Sequence, residues 1–102
     1  MYPIHAFGSE VQKMTWLSRL ASGEAIGCFG LSEWDFGSEP TGMRTTARTH
    51  GDGYVIDGKK AWITNGGIAD VAIVWAHLDP EPGATGTGSD VRGFVIPTDT
   101  PG

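Results

Sequence analysis

The apolar positions of this chain fall into one helical stretch followed by a run of short strands. Val11, Met14, Leu17 and Leu20 recur every third residue, with Trp16 among them. That spacing predicts an amphipathic helix of about three turns. Ser9 stands ahead of it as an N-cap, with Gln12 three residues on in the capping-box arrangement. Arg19 suits the negative end of the helix dipole, and Gly23 suits the C-cap. Met1 to Gly8, with Pro3, reads as a short leading segment.

Beyond the helix the pattern shortens. Ala25 to Leu31 is apolar and predicts a buried strand. Met43 to Thr49 alternates, with Met43, Thr45, Ala47 and Thr49 on one face of a half-exposed strand. His50-Gly51-Asp52-Gly53 turns the chain into a short strand, Tyr54-Val55-Ile56. Asp57-Gly58 is a two-residue hairpin signal, which predicts Lys59 to Thr64 as the returning strand before a turn at Asn65-Gly66-Gly67. Val71 to His77 is apolar on both faces, and Leu78 to Asp90 is a Pro/Gly/Thr loop. Val91 to Ile96 is the last strand, ended by Pro97.

Short strands at this spacing predict a mainly β chain, a partial antiparallel β-barrel or sandwich preceded by one short α-helix. The strands have no closing partner, and an open edge invites association. The expectation is a piece of a larger protein.

Composition narrows the function. The 102 residues hold seven Lys plus Arg against twelve Asp plus Glu, a net charge of -5, and the only adjacent cations are Lys59-Lys60. Nucleic-acid binding needs clustered cations and is disfavoured. Sixteen glycines, scattered among apolar runs, read as turns. A single cysteine, Cys28, makes neither an internal disulfide nor a zinc site. No stretch resembles a signal peptide or approaches the length of a membrane span, so the chain reads as soluble with no membrane insertion.

Most familiar chemistries lack their motifs. The glycines Gly83, Gly86 and Gly88 precede a strand, whereas a dinucleotide-binding loop follows one and opens a helix. His5, His50 and His77 lack metal-ligand spacing, so no metal site is expected, and His77 reads as a strand-edge residue. Ser32 and Ser38 lack a nucleophile elbow. Glu33, Asp35 and Glu39 crowd one loop. They suit acid-base work, but a solvated loop with an Asx-turn at Asp35 is the favoured reading. Trp62 alternates with Ala61 and Ile63 and shares a face with Thr64. The pattern alone favours a core tryptophan over an indole laid on a flat ring.

Three blocks carry a resemblance. Cys28-Phe29-Gly30-Leu31-Ser32-Glu33, continued by Gly37-Ser38-Glu39, resembles the flavin loop of the acyl-CoA dehydrogenase family. Gly58-Lys59-Lys60-Ala61-Trp62-Ile63-Thr64-Asn65 resembles that family's Gly-x-Lys-x-Trp-Ile-Thr-Asn block. Arg92-Gly93-Phe94-Val95 with Thr100-Pro101-Gly102 resembles the segment that follows. Met1 to Glu10 and Gly27 to Leu31 look most like its glutaryl-CoA dehydrogenases. The resemblance implies that residues 1–24 end an N-terminal helical domain and that 25–102 begin a middle β domain.

It also implies FAD as cofactor, an acyl-CoA substrate, an electron-transferring flavoprotein as acceptor and a homotetrameric parent. The parent would be cytoplasmic in a bacterium and in the mitochondrial matrix of a eukaryote. By the same resemblance, Trp62 and Ile63 lie against the isoalloxazine, and Thr64 bonds near its N5 and O4 edge. Main chain at Phe29 and Leu31 and the Ser32 hydroxyl reach its pyrimidine side. Gly37 and Ser38 lie near the pyrophosphate, Ser38 also near the thioester ligand. The family's catalytic glutamate belongs to a domain beyond these residues, so no catalytic residue is expected here and the chain alone should be inert. Trp34 stands where the family usually has proline, Ser32 where it has threonine and Glu39 where it has aspartate. Rival expectations are an acyl-CoA oxidase or flavin monooxygenase relative of the same fold, and a non-enzymatic β module with Trp62 and Trp75 in its core.

Overall fold

A computed structural model describes residues 1–79 and 90–102. The glycines Gly83, Gly86 and Gly88, and most of the loop expected between Leu78 and Asp90, lie outside the described residues. The elements run α1 (Tyr2–Phe7), α2 (Glu10–Ser22), β1 (Gly27–Gly30), a 3-10 turn (Pro40–Gly42), β2 (Thr46–His50), β3 (Gly53–Asp57), β4 (Val71–Leu78) and β5 (Asp90–Pro97). The chain is mainly β, with an open sheet, as its pattern predicts. Two of its pairings, β1 with β4 and β2 with β4, are parallel rather than antiparallel. Strand spacing along a sequence cannot reveal this, because these partners are not chain neighbours. The residues group into two compact units.

The first unit comprises Met1–Gly30, Ile63–Val74 and Val95–Gly102. Its leading segment is helical: α1 starts with Pro3 in its first turn, where the missing N–H costs nothing. It stops at Gly8, where an added Cβ would crowd the Ile4 carbonyl. The Ser9 capping box forms as predicted: Oγ accepts the Gln12 N–H at 3.2 Å, and the Gln12 side chain accepts the Ser9 N–H at 2.9 Å. Gly23 ends α2 in the left-handed conformation.

The expected apolar stripe on α2 does not close into one buried face. Val11 and Met14 are exposed, and Trp16 is the residue that buries. Steps of three fall short of a full turn by about 60°, so Val11 and Leu20 end on opposite sides of the helix. In β1, Gly27 to Gly30 pair in parallel with Val71 to Val74 of β4. The Asp70 carboxylate fastens the start of this ladder by accepting the Ile26 N–H at 2.8 Å. Ile4, Trp16, Ala25, Val71 and Ile73 form the buried apolar set of this unit. Cys28 is half-buried, and burial pushes its thiol pKa up, which favours the protonated form.

The second unit comprises Leu31–Trp62 and Trp75–Phe94, described without residues 80–89. Met43, Thr45, Ala47, Ala61 and Ala76 bury. The predicted alternation holds at the first three, but Thr49, expected on the same face, is exposed, and the strand begins at Thr46 rather than Met43. The hairpin here joins β2 to β3, with His50 opposite Gly53 across a turn of Gly51 and Asp52. The predicted strand over 59–64 does not form; this stretch is irregular and enters a turn. Of the two turns expected around Tyr54-Val55-Ile56, the one at His50-Gly51-Asp52-Gly53 forms and joins β2 to β3, while no strand follows Asp57-Gly58 to pair with it. Gly58 serves instead in close packing. It has φ 158°, and a Cβ there would lie 2.7 Å from the Thr45 Cα.

Candidate functional site

Glu33 fixes the geometry of the second unit. It is only 7% exposed. Its carboxylate accepts the Thr45 hydroxyl at 2.5 Å, the Arg44 N–H at 2.7 Å, the Thr45 N–H at 3.0 Å and the Lys60 ammonium at 2.9 Å. Lys60 also donates to the Leu31 carbonyl at 3.1 Å. A buried carboxylate persists only when so satisfied. Burial raises its pKa, but the bonds from Thr45, Arg44 and Lys60 outweigh that and hold the carboxyl down at about 2. Glu33 is therefore neither a solvated loop residue nor half of an acid-base pair. Asp35 and Glu39 are exposed, and Asp35 faces Arg44 at 3.3 Å. No local pattern signals the role of Glu33, because its charge partner lies 27 residues away.

The loop that carries Glu33 is closed on itself. Glu33 and Phe36 exchange both backbone hydrogen bonds at 3.2 Å. The Arg44 guanidinium lies 5.7 Å from the Phe36 ring centre. The Ala61 N–H donates to the Ser32 carbonyl at 2.9 Å. Together with Lys60, this bond ties the segment Gly58 to Trp62 onto the loop Leu31 to Phe36. Leu31 and Ser32 are half-buried at the tie, while Gly37 and Ser38 sit in exposed bends further along.

Trp62 lies directly beyond that tie. It is 77% exposed and has φ 61°, a left-handed backbone that bulky residues rarely adopt. Such a conformation costs on the order of 1–3 kcal/mol and clusters at functional sites. The expected core tryptophan on a strand is thus an exposed one on a bend, and the rival module with Trp62 in its core loses its basis. The Trp34 indole meets the Trp62 indole edge-on, with ring centres 4.8 Å apart and planes at 71°.

The remaining predicted residues belong to the first unit. Phe29 sits on β1 opposite Ile73 and is exposed. Ile63 is half-buried, and its carbonyl accepts the Gly66 N–H at 3.0 Å. Thr64 is exposed and opens the turn that includes Asn65, itself at φ 64°. His77, in the second unit, has its Nε2 3.0 Å from the Thr41 carbonyl, a bond that suits a structural histidine. Among the described residues no group of three His, Cys, Asp or Glu gathers as metal ligands, and no helix is long and apolar enough to cross a membrane.

Comparison with known proteins defines the class. The family model for the acyl-CoA dehydrogenase middle domain matches residues 28–102. The chain belongs to the acyl-CoA dehydrogenase family. Glutaryl-CoA dehydrogenase from Mycobacterium smegmatis, solved in complex with FADH2, is 55% identical with a TM-score of 0.87, over 99% of this chain and 24% of that one. Butyryl-CoA dehydrogenase from Megasphaera elsdenii is 40% identical with a TM-score of 0.84, over 99% of this chain and 26% of that one. The human mitochondrial short-chain specific acyl-CoA dehydrogenase is 44% identical over 98% of this chain and 23% of its own length. The chain thus spans about a quarter of the length of these relatives.

Proposed function

We propose that this chain supplies part of the flavin site of an FAD-dependent acyl-CoA dehydrogenase, with residues 1–24 ending a helical domain and 25–102 beginning the middle β domain. The observation that carries the reading is Trp62. Its exposed indole, held on a strained bend beyond a buried ion pair, suits a flat aromatic ring. The M. smegmatis relative, solved with FADH2, supports the choice of that ring. Trp62 and Ile63 lie against the isoalloxazine, and Thr64 donates to its polar edge. Ser32 and the main chain at Phe29 and Leu31 bond its pyrimidine side. The Leu31 and Ser32 carbonyls are already taken by Lys60 and Ala61, so the backbone N–H groups and the Ser32 hydroxyl are what this loop offers. Gly37 and Ser38 lie toward the pyrophosphate, with Ser38 also near the thioester.

The chemistry that FAD supplies in this class is acceptance of a hydride from an acyl thioester. The part played by these residues is to bind and orient the ring, and no proton transfer is assigned to any of them. Identity of 55% to the glutaryl-CoA enzyme, against 44% to the short-chain one, favours glutaryl-CoA or a related short acyl-CoA. An electron-transferring flavoprotein as acceptor and a homotetramer complete the proposal. The enzyme works in the cytoplasm of a bacterium or the mitochondrial matrix of a eukaryote.

The test uses the full-length protein with glutaryl-CoA and butyryl-CoA. Reduction of an artificial electron acceptor with little oxygen uptake is expected, with carbon dioxide released from glutaryl-CoA. Oxygen consumption in step with substrate would replace the dehydrogenase by an oxidase.

A further inference from the structure

Trp34 is left without a role by the proposed site, although it touches the residue at its centre. Both indoles are largely exposed, 69% for Trp34 and 77% for Trp62, yet they meet at 4.8 Å and 71°. Exposed indoles on independent loops would not hold such a geometry. These loops are not independent. Glu33, next to Trp34, takes the Lys60 ammonium, and Ser32 takes the Ala61 N–H, next to Trp62. The indole pair is the solvent end of a joint whose inner end is a buried ion pair.

We propose that Trp34 is a positioning residue that acts through Trp62, its indole fixing the plane that Trp62 offers to the flavin. The inference rests on the assignment of Trp62 as the ring-facing aromatic. An exposed side chain on a left-handed bend has few neighbours to fix its rotamer. The edge-on contact supplies one, while the Trp62 side chain stays largely exposed. Ordering the indole before the ligand arrives lowers the entropy lost on binding.

A double-mutant cycle on the full-length flavoprotein tests this, with the FAD dissociation constant and the flavin absorption band as readouts. Trp34→Ala should weaken FAD by about two- to ten-fold, the range of one aromatic pair, and shift the band. Trp34→Phe, which keeps an aromatic edge, should restore most of both. In a Trp62→Ala background, Trp34→Ala should have no further effect. An unchanged flavin in Trp34→Ala, or an equal loss in Trp34→Phe, overturns the proposal. So does a full Trp34→Ala effect that persists without Trp62, since Trp34 would then touch the ligand itself. An unchanged flavin in Trp62→Ala alone removes the underlying assignment, which separates that failure from the failure of the positioning role.

Discussion

Glu33 and Lys60 form an ion pair at 2.9 Å with side chains only 8% and 10% exposed, joining two segments 27 residues apart. Removing one partner of such a pair strands a buried charge and typically costs about 3–5 kcal/mol. Lys60→Met and Glu33→Gln should each destabilise the protein on that scale in chemical denaturation. The double variant should lose less than the two single losses combined, because no charge is then left unpaired. Strict additivity would mean that the pair is not coupled.

The same carboxylate sets an acid limit. Its pKa of about 2 lies below the ordinary 4.5, so its contribution is fully present above pH 4.5 and is lost as pH falls toward 2. The stability gap between the wild type and Glu33→Gln should therefore shrink as pH falls through that window. Thermal unfolding at a series of pH values checks it; a gap that stays constant would place the Glu33 carboxyl near its ordinary pKa.

Gly58 should not tolerate a side chain. A Cβ would collide with Thr45, whose hydroxyl and N–H both bond Glu33. Gly58→Ala should cost about 1–3 kcal/mol as an overpacking substitution. A denaturation midpoint equal to the wild type would mean that this close approach does not exist.

How far these features were legible in the sequence depends on their range. Ser9 with Gln12, the end at Gly23 and the alternation Met43-Thr45-Ala47 are local, and all three were readable from neighbouring residues. The turn at His50-Gly51-Asp52-Gly53 was readable in the same way, whereas the second hairpin expected at Asp57-Gly58 does not form, and Gly58 is packed against Thr45 instead. Parallel pairing of β1 and β2 with β4 depends on strands far apart in the chain. The family motif drew attention to Trp62 but not to its exposure, since alternation with Ala61 and Ile63 mimics a strand. Glu33 looked solvated because it sits among Asp35, Ser38 and Glu39, and nothing nearby announces Lys60.

The strain at Trp62 is testable apart from any ligand. A residue at φ 61° gains from replacement by glycine relative to alanine. Trp62→Gly should be more stable than Trp62→Ala by about 1 kcal/mol, although glycine normally costs chain entropy. The reverse order in chemical denaturation would place the backbone outside the left-handed region.

The most direct measurement of the central claim is the flavin of the full-length protein with and without the Trp62 indole. Trp62→Ala should bind FAD about ten-fold more weakly, as expected for loss of one aromatic contact, and should show an altered flavin absorption band. An FAD dissociation constant and flavin spectrum identical to the wild type would contradict the assignment of this segment to the flavin site.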